Sequence, residues 1–173
     1  QWIKGEISTF SYLMKLNYYS GRTFNDASQY PIFPWIIIDF ECEELDFSKH
    51  EIFRDLSKPI GALSKERLNE LIDRLDDLKA ISNNIYLYGS FVVCPLSLYL
   101  WLIRMEPFTS LHIKLQSGKF DNPSRIFNSI EDAFSLSTSH INDYRELIPE
   151  FYFQPDFLTN DNNFDLGLSK GER

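Results

Sequence analysis

The chain has 173 residues, of which 43% are hydrophobic and 16% aromatic. That length carries one domain with its own core, and that composition excludes disorder. The net charge of −8, without a Lys/Arg cluster, excludes nucleic acid as a direct partner and disfavours electrostatic capture by anionic lipid.

The stretch from Trp2 to Ser20 predicts a helix. Ser8 is its N-cap candidate, Phe10, Leu13, Met14 and Asn17-Tyr18 follow at helical spacing, and Gly21 is placed to end it. From Gly21 to Leu63 no long helical period exists. Pro31, Pro34 and Pro59 each remove a backbone donor and push the preceding residue towards extended geometry. Trp35 to Phe40 (WIIIDF) predicts a buried strand within this irregular stretch. Buried irregular backbone must still satisfy its N–H and C=O groups. Asn25, Asp26, Ser28, Gln29, Arg54, Asp55, Ser57 and Lys58 supply donors and acceptors suited to stapling it. Asp39 to Leu45 (DFECEEL) predicts a solvated acidic turn; it lacks the DxDxDG spacing of a calcium loop.

Ser64 to Ala80 predicts an amphipathic helix capped by Ser64, with Leu68, Leu71, Ile72, Leu75 and Leu78 in one stripe. Asn83 to Gly89 reads as a loop and a short strand. Pro95 to Glu106 is apolar nearly all round, which predicts a buried helix started by Pro95 and stopped before Pro107. Phe108 to Phe120 fits either a short helix or a strand. Asn122, with Pro123 at the first position, predicts a further helix whose apolar face is Ile126, Phe127, Ile130, Ala133 and Phe134. The expected fold class is α+β, mainly helical, with a core of extended irregular segments flanked by helices.

The longest apolar run, Phe91 to Ile103, is interrupted by Cys94, Pro95 and Ser97. It falls short of the roughly 18–20 residues that span a bilayer. Cys42 and Cys94 lie far apart without a CxxC spacing, which predicts reduced, buried thiols. The expected location is cytoplasmic. Gln1 and the polar SKGER end read as cuts from something longer.

Several long strings resemble the BEACH domain, named for the beige and Chediak–Higashi proteins. They are GEIS and YLM near the start, QYPIFPWIIIDF, FRDLSKPIGAL, EPFTSLHIKLQSGKFDNPSRIF and ELIPEFYFQPDFLTNDNNFDLG. The resemblance runs from Trp2 to about Gly167, in the family's order. One departure is local: where many members carry YG(S/T)HYS, this chain has Tyr88-Gly89-Ser90-Phe91-Val92-Val93, losing a histidine and becoming more apolar. Another is length. Family members continue past FDLG, so residues 1–173 are expected to be a single BEACH domain incomplete at its C-terminal end, either a fragment or a short form. The resemblance implies a non-enzymatic scaffold within a large cytosolic protein. It implies a PH-like domain docking in cis, a WD-repeat propeller in the parent chain, and trafficking proteins as partners, with membrane association indirect. Roles in vesicle and lysosome trafficking, autophagy and receptor signalling follow from it.

Catalytic spacings are missing. There is no GxSxG elbow, P-loop or GxGxxG, and His50, His112 and His140 are scattered without metal spacing. No catalytic residue, cofactor or metal site is therefore assigned. Tyr30, Phe33, Trp35, Arg54 and Lys58 are the partner-docking candidates, since interface energy concentrates in aromatic and arginine anchors. Asn25, Asp26, Gln29, Asp55 and Ser57 are the structural staples. The alternative is a hydrolase or transferase using a polar cluster of Asn25, Asp26, Arg54 and Asp55.

Overall fold

Ser8 opens the first helix as expected: its hydroxyl accepts from the Ser11 N–H at 3.1 Å, and α1 runs Thr9–Tyr19. Gly21 follows at φ 79°, a left-handed conformation that ends the helix without a side-chain penalty. The computed structural model describes residues 1–40, 42–83, 85–88 and 94–168. It is mainly helical, with 44% helix. The other α-helices are α2 (Lys65–Lys79), α3 (Pro95–Trp101), α4 (Phe108–Leu115) and α5 (Ile130–Ser139). The chain forms two compact units: Gln1–Phe33, Val93–Phe127 and Leu147–Arg173 make the first, and Pro34–Val92 with Asn128–Glu146 make the second.

In the first unit, α3 packs on α4. The apolar run after Pro95 buries Leu98, Leu100, Trp101, Leu102 and Ile103. The helix is shorter than its apolarity suggests, because carbonyls beyond Trp101 find partners elsewhere. The Thr109 hydroxyl donates to the Ile103 carbonyl at 2.7 Å, and the Asn162 amide donates to the Arg104 carbonyl at 3.2 Å. Trp101, Phe127, Phe151 and Phe157 then meet edge to face, with Trp101–Phe127 at 5.0 Å, Trp101–Phe151 at 5.1 Å and Phe151–Phe157 at 4.8 Å. Such pairs add about 0.5–1.5 kcal/mol each beyond the area they bury. The ambiguous Phe108–Phe120 stretch is helical up to Leu115.

In the second unit, α2 begins at the Ser64 cap, and both α2 and α5 pack against the 3-10 turn Ile60–Ala62. Leu71 of the predicted stripe is buried, while Ile72 is exposed and Arg67 is buried instead. The helix predicted to start at Pro123 is two pieces, the first belonging to the first unit and the second to the second unit. Asn122 caps a 3-10 turn over Pro123–Arg125, the backbone is extended at Ile126, and Ser129 caps α5 through the Asp132 N–H at 3.0 Å.

WIIIDF does not form a strand. Among the described residues, pairing is confined to isolated antiparallel bridges, Phe33 with Leu147 in the first unit and Ile37 with Phe53 in the second. The prolines at 31 and 34 and the turns on either side deny it a longer partner. The loop-and-strand stretch Asn83–Gly89 shows no strand at residues 85–88. Asn84, the departure segment from Gly89 to Val93, Glu41 of the acidic turn and the SKGER end lie outside the described residues. Cys42 is exposed, not buried, because the acidic turn that carries it is itself exposed; Cys94 is half-buried and caps α3 through its sulfur.

Gly61 sits where a side chain has no room. A Cβ there would meet the Tyr88 ring at 2.4 Å and the Tyr144 ring at 3.1 Å. Those rings pack against each other at 5.0 Å, so neither moves aside freely. Gly61→Ala should therefore cost about 1–3 kcal/mol, the usual range for overpacking, measured as a shift in the urea unfolding midpoint at unchanged slope.

Candidate functional site

Arg54 lies at the centre of a buried polar network in the second unit, and its side chain is only 4% exposed. Its backbone N–H donates to the Ile36 carbonyl at 2.8 Å, one bond of the Ile37–Phe53 bridge. Its Nη1 donates to Glu146 Oε2 at 2.8 Å and its Nη2 to the Lys58 carbonyl at 3.1 Å. The same Glu146 oxygen accepts the Trp35 backbone N–H at 3.0 Å, and the Trp35 indole donates to the Arg145 carbonyl at 2.9 Å. One arginine and one carboxylate thus tie three irregular segments together: Trp35–Ile36, Arg54–Lys58 and Arg145–Glu146.

Two further arginines work nearby in the chain. Arg145 pairs with Asp143, donating Nε to Oδ1 at 3.0 Å and Nη2 to Oδ2 at 2.7 Å, with both side chains buried. Arg67, on α2, donates to the carbonyls of Ser137, of His140 at 2.8 Å and of Asp143 at 2.5 Å, where α5 ends. Its guanidinium lies over the Tyr144 ring at 5.0 Å. Burial pushes the Arg67 pKa down, opposed by Tyr144 and Asp143.

In the first unit, Asn17 braces the chain entering Phe33: its amide donates to the Ile32 carbonyl at 2.9 Å and accepts the Ile32 N–H at 2.9 Å. The Tyr30 hydroxyl donates to Glu150 Oε1 at 2.5 Å. The other Glu150 oxygen is buried without a hydrogen-bond partner among the described residues. Burial raises the Glu150 pKa, the Tyr30 bond only partly offsetting it; Tyr30 is raised likewise, chiefly by burial.

Of the five docking candidates, the structure buries four. Tyr30, Phe33, Trp35 and Arg54 are core residues, 1–7% exposed, so their side chains do not form a surface. Lys58 is exposed, on a loop that Arg54 holds from beneath and that also presents Leu56 at 58% exposure. The staples are exposed too and act locally. Asp26 accepts from the Ser28 N–H and hydroxyl at 2.8 and 2.6 Å, and its carbonyl accepts the Gln29 N–H at 3.0 Å. Asp55 accepts likewise from Ser57 at 3.0 and 2.5 Å and pairs with Lys58 at 3.2 Å. The serine donors hold both carboxyls below the usual range. The Asn25 N–H donates to the Thr23 hydroxyl at 3.2 Å, and the Gln29 carbonyl accepts the Thr23 N–H at 2.9 Å. These residues close surface turns instead of bracing buried backbone.

Beside Arg54, named above among the stapling residues, the long-range braces are residues that sequence reasoning passed over: Asn17, Arg67, Glu146 and Glu150. A signal existed for some of them. Arg67 stands four residues before Leu71, on the apolar stripe of α2, and Glu146 and Glu150 flank the apolar Leu-Ile-Pro run. His112 is a packed histidine: it is fully buried, Nε2 accepts the Asp121 N–H at 3.2 Å, and burial pushes its pKa down. Among the described residues no cluster of His, Cys, Asp and Glu has metal-site geometry.

Removing one partner of a buried ion pair leaves the other charge unpaired, which costs about 3–5 kcal/mol. Arg54→Ala should lose stability on that scale, and Arg54→Ala/Glu146→Gln should lose less than the two single changes summed, in a denaturation double-mutant cycle. Glu150 makes a pH prediction of opposite sense to most carboxylates. Its folded pKa is raised, so the folded state binds the proton more tightly, and stability rises as pH falls through the folded pKa towards 4.5. The native chain should gain stability relative to Glu150→Gln over that interval, measured by urea unfolding at stepped pH.

Comparison with known proteins bears on this architecture directly. The Beige/BEACH domain family profile matches residues 1–173. BEACH domain-containing protein B of Arabidopsis thaliana is 46% identical over 170 residues, covering 98% of this chain and 6% of that protein. BEACH domain-containing protein lvsE of Dictyostelium discoideum is 43% identical over 176 residues, covering 99% of this chain and 8% of that protein. The chain therefore spans less than a tenth of the length of these relatives. With a whole-length family match and two such relatives, the chain belongs to the BEACH domain family.

Proposed function

We propose that this chain is a non-enzymatic scaffold module of a large cytoplasmic protein, acting in vesicle or lysosome trafficking or related signalling. It docks to a PH-like domain in cis and to trafficking proteins, with a WD-repeat propeller in the parent chain and membrane contact made indirectly. The observation that carries this reading is family membership over the whole chain, in relatives more than ten times its length. No helix among the described residues is long and apolar enough to cross a membrane, in keeping with a peripheral role.

The residue chemistry supports scaffolding. The buried arginines and carboxylates are spent on backbone groups and on each other. A hydrolase or transferase built on Asn25, Asp26, Arg54 and Asp55 would need a group poised near neutral pH. Asp26 and Asp55 are instead held ionised in surface turns, and Arg54 is committed to Glu146. For docking, the Asp55–Lys58 loop is the surface that the Arg54 network presents. Arg54 acts there as a positioning residue, fixing the Lys58 carbonyl from below.

Calorimetric titration of the chain with the PH-like domain of its parent protein tests this reading. Binding at micromolar Kd or tighter, weakened by Leu56→Ser and Lys58→Glu with the unfolding midpoint unchanged, is the expected result. A folded chain that shows no heat of binding would overturn docking to the PH-like domain.

A further inference from the structure

The outward face of α1 is apolar and aromatic where a solvated helix face would be polar. Phe10, Leu13 and Asn17 turn inward at helical spacing, and Asn17 is buried. On the opposite side Tyr12, Leu16 and Tyr19 recur at i, i+4 and i+7, spanning about 10 Å of helix. Leu16 is 47% exposed and Tyr19 82%. The 3-10 turn Trp2–Lys4 extends this face, since the Trp2 indole stacks on Tyr12 at 4.5 Å with the rings 5° from parallel. The Trp2 indole N–H donates to the Thr9 hydroxyl at 3.1 Å, which fixes the stack to the first turn of α1. Apolar residues exposed singly are ordinary, but a contiguous set in which Trp2, Leu16 and Tyr19 are exposed around the half-buried Tyr12 marks an interaction surface.

Charge points to the occupant. Lys4 and Lys15 are exposed on or beside this face, and no carboxylate occurs between Glu6 and Asp26. Residues 1–25 hold three cations against one carboxylate, leaving fourteen against twenty-four for the remainder of the chain. The aromatic face is thus a locally cationic spot on an acidic protein. An extended anionic membrane would meet the repulsion of that acidic remainder. A short acidic segment meets only the local field, because screening confines it to about 8 Å at physiological salt.

We propose that this α1 face, centred on Tyr12, Lys15 and Tyr19, docks a short acidic peptide segment of a partner protein with apolar anchor residues. The rings supply flat apolar contact with few rotors to immobilise, and Lys4 and Lys15 select acidic flanks. The surface is separate from the Asp55–Lys58 loop, so this inference goes beyond the docking of a PH-like domain.

The test is selection of a displayed library of random twelve-residue peptides on the full 173-residue chain, followed by fluorescence anisotropy with the enriched peptides. The expected result is enrichment of net-acidic sequences carrying Leu, Phe or Trp. Their affinity should fall about tenfold or more with Tyr19→Ser and with Lys15→Glu, and should weaken as salt rises. Both positions are exposed, so an unchanged thermal unfolding midpoint checks that the variants fold. No enrichment, enrichment of neutral or basic sequences, or equal binding by the variants would overturn the proposal. So would Tyr19-dependent sedimentation with phosphatidylcholine–phosphatidylserine vesicles, or a Tyr19-dependent dimer in sedimentation equilibrium. Loss of the PH-like titration in Tyr19→Ser would also overturn it by giving the face to that domain, whereas failure of the PH-like titration in the native chain leaves peptide binding standing.

Discussion

The Arg54–Glu146 pair is the interaction on which the second unit depends, because it does what a sheet would otherwise do. Among its described residues, the stretch from Pro34 to Lys58 contains a single antiparallel bridge, Ile37 with Phe53. Extended backbone without a continuous ladder leaves amides and carbonyls to be satisfied by side chains. Glu146 accepts the Trp35 N–H and the Arg54 guanidinium on one oxygen, and Arg54 passes its second nitrogen to the Lys58 carbonyl. A carboxylate and a planar guanidinium suit this task because each joins several partners at fixed angles.

The same solution recurs with different residues. Arg67 gathers three carbonyls where α5 ends and the chain turns towards Tyr144. Asn17 pairs both backbone groups of Ile32, as a neighbouring strand would. Tyr30 closes onto Glu150. Burying charge is expensive, and an apolar replacement of matching shape is often no less stable. What a hydrogen-bonded charge supplies here is a defined path for backbone that has no regular ladder to follow. That explains why so many of the buried polar groups in this chain are arginines and acids facing carbonyls and amides.

Such a construction has a consequence for function. The buried arginines are engaged by backbone carbonyls and by carboxylates, while the exposed surface includes turns and helix faces. The Asp55–Lys58 loop is held from beneath by Arg54, and the outward face of α1 is set by a helix whose other side braces Ile32 through Asn17. Rigid support under exposed apolar side chains is what a docking module needs, since less ordering remains to be done on binding.

Local signals determined a good deal by themselves. The Ser8 and Ser64 caps, Gly21 and the apolar spacing located α1 and α2 closely, and the motif strings from GEIS to FDLG identified the family. Those features act within a few residues, so they are written in the order of the chain. Tertiary structure decided the rest. It stopped α3 at Trp101 by taking carbonyls beyond it into contacts with Thr109 and Asn162, and it kept WIIIDF from becoming a strand. It also turned the docking anchors Tyr30, Phe33, Trp35 and Arg54 inward, and it made braces of Arg67, Glu146 and Glu150 where the proline-rich stretch had suggested Asn25, Asp26 and Asp55. The physical reason is range. A turn is closed by the nearest serine or aspartate, but buried backbone without a ladder is satisfied by whichever side chain the fold brings to it, here from more than a hundred residues away.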